Sequence, residues 1–142
     1  MPESTITPSI GVVFITHNAV HHLRRSLPPF LNSPLKPRVL VVNSTSNDGT
    51  VELAQELGAE VLVVPRRTFN HGSTREKARK YLNTDIVVMV TPDAYADDPL
   101  LLEKLVAPLI KKEASITYAR QLPHDGAGIF EAFPRSYNYP DK

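Results

Sequence analysis

Residues 41–50, VVNSTSNDGT, pass from two β-branched apolar side chains into a run of hydroxyls and amides that closes on Asp48-Gly49. Valine suits a pleated, buried surface, whereas Ser, Asn, Asp and Gly suit turns and helix starts. The stretch therefore reads as a strand end, a turn and a helix start. Apolar Val51, Leu53, Ala54 and Leu57 follow at helical spacing, with Asp48 or Thr50 as the N-cap and Gly58 as the stop. By itself this is a strand–turn–helix connection with a good cap. A polar turn at the end of a buried strand is also a place where ligands bind.

Working outward, the apolar runs are IGVVFIT (10–16), RVLVVN (38–43), EVLVVP (60–65), DIVVMVT (85–91) and ASITYA (114–119). Most are continuously apolar, as strands buried on both faces are. Helical segments lie between them. AVHHLRRSL (19–27) stops at Pro28-Pro29, and GSTREKARKYL (72–82) is more polar. DDPLLLEKLVAPLIKKE takes Asp98 as cap and Pro99 as first helical residue. It ends in Lys111-Lys112, favourable at the negative end of the helix dipole, and Pro108 is expected to kink or shorten it. The alternation predicts an α/β domain with a mainly parallel sheet flanked by helices. After Ala119 the pattern fades into a tail with Gly, Pro and four aromatics, read as a loop, an edge segment or a surface for another chain.

The 142 residues fit a single domain, 1–142, long enough to close a core. A net charge of +1 with intermixed signs argues against nucleic acid or an anionic membrane as partner. The absence of cysteine excludes disulfides, thiolate metal sites and a cysteine nucleophile. No apolar run approaches the roughly 20 residues of a membrane span, and MPESTITPS lacks the order of a signal peptide. A soluble, cytoplasmic protein without an integral membrane segment is expected.

In open parallel sheets ligands bind beyond the carboxyl ends of the strands. The groups there are THN (16–18), NSTSNDGT (43–50), PRRTFNHGSTR (65–75) and TPDAYADD (91–98). Neither G-x-G-x-x-G nor G-x-x-x-x-G-K-[ST] occurs, so a Gly-rich phosphate loop is excluded. Asp93 follows an almost wholly apolar strand. A carboxylate buried there needs a partner, and a Mg²⁺ ion carrying a diphosphate on its far side is a good one. Asp93 as a simple turn residue beside Pro92 is the competing assignment. Asp97 and Asp98 read as helix-cap residues. The planar fork of Arg75 suits phosphate or a base carbonyl, and His71 suits a hydroxyl or phosphate, although either residue taken singly reads better as part of a loop with a solvated Arg. His17 follows the first strand and can contact a ligand. His21 and His22 point about 100° apart on one helix, a poor metal pair, and read as surface or partly packed.

VVFITHN, VVNSTSNDGTVELAQELGAEVL, FNHGSTREKA, DIVVMVTPDAYADD and YARQLPHDGAGIFEAFPRSYNYP, in this order, resemble the N-terminal half of a family 2 glycosyltransferase with the GT-A fold. The likeness is greatest to bacterial rhamnosyltransferase-type members and spans about residues 10–140. It implies a Rossmann-like nucleotide-diphospho-sugar transferase fold and a nucleotide-sugar donor, with Mg²⁺ or Mn²⁺ on the diphosphate. It also implies a saccharide or lipid-linked acceptor. By position, Thr16, His17 and Asn18 match the first nucleotide-contacting turn. Asn43 matches the aspartate that grips the base, with Ser46 beside it. Arg75 matches an arginine near the nucleotide, with His71 in the same segment. Asp93 matches the metal-binding aspartate.

Two departures accompany the resemblance. An amide stands at Asn43 where the family has an acid, and charge-assisted hydrogen bonds are roughly twice as strong as neutral ones. Thr91 stands where many members have the first acid of a D-x-D motif, although the T-x-D form is usual in the rhamnosyltransferase-like subgroup and is no departure from it. The family also continues past a segment like YNYP (137–140), into the half that supplies the acceptor pocket and catalytic base. The resemblance thus implies a partial, truncated GT-A domain carrying the donor-binding half, with the catalytic base unassigned. The alternative is a non-catalytic nucleotide-binding or protein-interaction module derived from such an enzyme. Homo-oligomerisation through the tail aromatics Phe130, Phe133, Tyr137 and Tyr139 is expected with either. A nucleotidyltransferase is disfavoured, because THNAVHHLRR has no glycine.

Overall fold

The computed structural model describes residues 6–139, apart from the side chains of Ser136 and Tyr137. The start of MPESTITPS, the Tyr137 ring and Pro140 of YNYP therefore lie outside what is described. The chain runs β1 (Ile10–Thr16), α1 (Val20–Ser26), α2 (Pro28–Leu31), β2 (Arg38–Ser44), α3 (Thr50–Leu57), β3 (Glu60–Val64), α4 (His71–Leu82), β4 (Ile86–Val90), α5 (Leu101–Ile110) and α6 (Ile129–Asn138).

The four strands form one parallel sheet in the order β3-β2-β1-β4. In register, Thr16 stands beside Asn43, and Phe14 beside both Val41 and Val90. The chain builds outward from β1 on one side and then returns to its other side with β4. Residues that follow β1 and β4 line a crevice at the carboxyl ends of these neighbouring strands.

Period-2 alternation divides β1 between two cores. Ile10, Val12 and Phe14 pack with Leu23 and Leu27, with Phe30 of α2, with Leu53 and Ala54 of α3, and with Leu102 and Val106 of α5. Val13 faces the other way, with Leu40, Val42, Val64 and, from α4, Ala78 and Leu82. Full burial of such a side chain contributes about 1.5–3 kcal/mol, so β1 and β2 anchor the domain. The expected two-sided burial holds for these two strands. On the outer strands β3 and β4, Val63 and Met89 are exposed.

Several boundaries differ from expectation. Residues 114–119 form no strand: Ile116 and Tyr118 project into solvent, and the segment is held by Thr117 Oγ1 donating to the Leu105 carbonyl at 2.7 Å. A strand needs a neighbouring ladder, and no described segment offers one here. The faded tail instead contains α6, which leaves Ile129, Phe130 and Phe133 exposed. Pro28-Pro29 ends α1 but also starts α2, since both prolines sit in its first turn, where no N–H is required. Helix α5 begins at Leu101 and not at Pro99. Asp98 Oδ1 accepts from the Leu100 N–H at 2.9 Å in the turn before it. Pro108 lies in the last turn of α5, close to where it ends.

Candidate functional site

A cleft of about 380 Å³ opens beyond the carboxyl ends of β1 and β4, where ligands are expected in such a sheet. It is lined by Ile15 of β1, by His17, Asn18 and Ala19 of the loop that follows, by His22 of α1, by His71 and Arg75 from α4, and by Thr91, Pro92 and Asp93 after β4. A second hollow of about 430 Å³, between α1, α2 and residues 96–99, takes Ala96 and Asp97 from the 91–98 segment but none of the candidate ligand-binding or metal residues. Five nominated residues, His17, Asn18, His71, Arg75 and Asp93, thus meet on one surface although they lie far apart in the chain. The other three do not line it. Thr16 and Asn43 are each 1% exposed, and with Ser46 they form the layer behind the cleft wall.

That layer is a chain of hydrogen bonds between the loops that follow β1 and β2. Asn43 Oδ1 accepts from Thr16 Oγ1 at 3.2 Å and from Ser46 Oγ at 2.5 Å. Ser46 Oγ in turn accepts the Asn18 N–H at 2.8 Å, and Asn18 Oδ1 accepts the Asn47 N–H at 3.0 Å. His17 Nδ1 lies 2.7 Å from the Ser44 carbonyl. A carbonyl only accepts, so Nδ1 carries the proton. When the ring is neutral, Nε2 is then left with a free lone pair.

The Asp48-Gly49-Thr50 turn does more than expected. Gly49, in the left-handed region at φ 89°, takes the N-cap position of α3, and Asp48 Oδ1 accepts the Thr50 N–H at 3.0 Å. The same two side chains also cap α1. Thr50 Oγ1 accepts from Ala19 N–H at 2.9 Å, and Asp48 Oδ2 from Val20 N–H at 3.2 Å. Burial alone would raise the Asp48 pKa. The Thr50 hydroxyl and the Val20 and Thr50 N–H groups outweigh it and hold the carboxyl below its ordinary range. Thr45, a β-branched residue at φ 40°, is held in that strained region by its hydroxyl, which donates to the Val64 carbonyl and accepts the Arg66 N–H at 3.2 Å.

Helix α4 presents its N-terminus to the cleft. Asn70 caps it, with Oδ1 accepting from Gly72 N–H at 3.0 Å and Ser73 N–H at 3.1 Å. His71 packs edge-on against Phe69, and Arg75 Nη1 donates to the His71 carbonyl at 3.2 Å. A guanidinium beside the positive end of a 12-residue helix suits an anion.

Asp93 corrects the premise on which it was singled out. It is exposed, so no burial penalty demands a counter-ion. Among the described residues no group of three or more His, Cys, Asp or Glu stands close enough to hold a metal ion alone. The donor set at the cleft is one free carboxylate with imidazoles and a hydroxyl. It fits a hard cation that completes its shell with ligand phosphates and water, and not an all-protein cage. His22, expected from the sequence to be on the surface or partly packed, lines the cleft as well, and no sequence motif singled out Tyr95.

These features define an open α/β domain with a polar cleft at the switch point of its sheet. The family model for glycosyl transferase family 2 matches residues 11–139, and the chain belongs to that family. It is 31% identical over 135 residues to the O-antigen chain rhamnosyltransferase WbaN of Salmonella anatum, covering 93% of this chain and 43% of that one. It is 30% identical to the O-antigen chain rhamnosyltransferase RfbN of Salmonella typhimurium, with 94% and 43% covered. The chain thus spans less than half the length of the curated relatives it matches. Among solved structures, S. aureus TarS 1–349 superposes with a TM-score of 0.71 at 20% identity, over 85% of this chain and 38% of that one, a likeness of fold. Glucosyl-3-phosphoglycerate synthase from Mycobacterium tuberculosis, in complex with Mn²⁺, UDP and glucosyl-3-phosphoglycerate, gives 0.58 at 27% identity, over 72% and 40%. No helix among the described residues is long and apolar enough to cross a membrane.

Proposed function

We propose that this chain is the donor-binding half of a sugar transferase, holding a nucleoside-diphosphate sugar in the cleft. The observation that carries the proposal is the convergence of His17, Asn18, His71, Arg75 and Asp93 at the sheet's switch point. Arg75 and the N-terminus of α4 supply positive charge for the diphosphate. The Nε2 lone pair of His17 and the Asn18 side of the loop face the nucleoside. Thr16, Asn43 and Ser46 hold that loop in shape from behind. Asp93, with Thr91 beside it, would hold Mg²⁺ or Mn²⁺ shared with the diphosphate. When bound, such an ion neutralises charge building on the leaving diphosphate. The acceptor, a saccharide or a lipid-linked one, would enter from the open side of the cleft. The group that takes its proton is unassigned.

Titration calorimetry with UDP, dTDP and GDP, with and without Mn²⁺, tests the proposal. Metal-dependent binding of one of them is expected in the native protein and should disappear in Asp93→Ala. Binding that is identical in that variant removes Asp93 from the site.

A second reading, a nucleotide-binding or interaction module without catalysis, is favoured by two observations. The Asn43 amide oxygen is already occupied internally, and α6 exposes Ile129, Phe130 and Phe133. Association of two copies through that face is the form we infer for such an interaction. A monomer by light scattering at high concentration would count against it.

A further inference from the structure

The segment 91–98, between β4 and α5, carries Asp93 and is sparingly held from within. Its internal backbone bond is the turn from Ala94 N–H to the Thr91 carbonyl, 3.1 Å. Asp98 is engaged toward α5, with the Leu100 N–H and with Lys104 Nζ at 2.5 Å. Asp93 itself has no hydrogen bond or ion pair among the described residues. What joins the segment to α1 is Tyr95. Its hydroxyl lies 2.5 Å from His22 Nδ1, and the two rings are 5.9 Å apart, tilted at 37°. The Arg25 guanidinium lies over the Tyr95 ring, 4.3 Å from its centroid, and Arg25 Nη2 reaches Asp97 Oδ1 at 3.5 Å.

His22 and Arg25 are three residues apart and share one face of α1. Tyr95 and Asp97 are alternate residues of the loop. The result is a three-point attachment two residues beyond Asp93. The Arg25–Asp97 pair is largely exposed and adds little. The phenol–imidazole hydrogen bond and the stacked guanidinium are the stronger contacts. His22 also lines the cleft with Asp93, so the attachment stands in the cleft wall itself. A hard-cation shell tolerates little misplacement, since Mg²⁺ demands near-ideal geometry at about 2.0–2.1 Å.

We propose that Tyr95 is a positioning residue, latching the Asp93 loop to α1 through His22 and Arg25 so that the carboxylate stands ready for a metal-bound diphosphate. The inference rests on the donor-site reading above and adds a residue that acts through Asp93 without touching the ligand. A Tyr95 that only supports the fold would affect stability, or nucleotide affinity with and without metal alike. A latch affects the metal-dependent part alone.

The test uses the full chain and Tyr95→Phe, which keeps the ring under Arg25 and removes only the hydroxyl. UDP, dTDP and GDP are titrated with and without Mn²⁺, and amide hydrogen exchange is followed over residues 92–98. The expected result is a roughly fivefold smaller Mn²⁺-dependent gain in affinity, the size of one lost hydrogen bond. Affinity without Mn²⁺ should not change, and the Ala94 amide should exchange faster. A gain equal to that of the native protein, or equal losses with and without Mn²⁺, overturns the latch. A native protein with no Mn²⁺-dependent gain overturns the donor reading and, with it, the positioning role. Hydrogen exchange then shows separately whether Tyr95 holds the loop at all.

Discussion

Replacing Asn43 by alanine removes the acceptor that joins the two loops behind the cleft. In the native structure Asn43 Oδ1 receives Thr16 Oγ1 at 3.2 Å and Ser46 Oγ at 2.5 Å. Afterwards Thr16, 1% exposed, keeps only the longer contact to the Val42 carbonyl at 3.4 Å. Ser46 still accepts from Asn18 N–H, but its own proton has lost its acceptor. Two hydrogen bonds contribute about 1 kcal/mol each, and the half-buried Ser46 hydroxyl left without an acceptor adds to the loss, giving about 2–3 kcal/mol. With an unfolding entropy of about 2.1 cal/mol/K per residue, that lowers the melting temperature by about 7–10 °C. Thermal and urea unfolding of Asn43→Ala, Ser46→Ala and the double variant measure it. The double variant should be less destabilised than the sum of the singles, with a coupling of about 1 kcal/mol. A loss below about 0.5 kcal/mol for Asn43→Ala, or strict additivity, would refute the network as the tie between the loops.

Two further outcomes are expected. A Cβ at Gly11 would sit 2.7 Å from both Leu82 Cδ1 and Thr84 Oγ1, and Leu82 is fully packed. Gly11→Ala should therefore cost about 1–3 kcal/mol by overpacking, and an unchanged urea midpoint would show that α4 can move away. Stability should also fall with acid. Glu76 is held at about 2 by its two hydrogen bonds from Arg79, Asp98 is lowered by Lys104, Asp85 by the Ser9 N–H and hydroxyl, and Asp48 by its capping bonds. Their folded pKa values lie below the unfolded ones, so the unfolded chain binds more protons and stability drops as pH falls from about 4 toward 2. Urea midpoints that stay flat across that window would contradict these pairings.

Much of the domain was legible in the sequence, for a local reason. The runs at 10–16, 38–43, 60–65 and 85–91 are β-branched and continuous, and Gly58 closes α3 in the left-handed region as a stop glycine should. Hydrophobic period and turn chemistry act over a few residues, so they can be read without knowing the fold. The run at 114–119, ASITYA, also carries β-branched and aromatic residues yet forms no strand, because a strand exists only beside a partner and composition does not supply one. Helix α6 escaped notice because Gly128 and Pro134 broke the pattern on either side of a short apolar face.

The nominated site divides along the same line. Strand order placed the residues after β1 and β4 beside a crevice, and the sequence motifs named His17, Asn18, His71, Arg75 and Asp93 in advance. Burial is a property of the whole packing, and it reversed two expectations: Asp93 stands in solvent, whereas Thr16 and Asn43 lie under the loop they were expected to present. The stretch VVNSTSNDGT by itself determined a strand, a turn and a cap. Only the tertiary structure decided that its Asp48 and Thr50 would cap a second helix 28 and 31 residues away in the chain, because that contact depends on α1 lying beside α3. The meeting of Tyr95 with His22 across 73 residues is of the same kind. No local signal specifies it, and it arises because β4 pairs beside β1, which brings the segment after β4 next to α1.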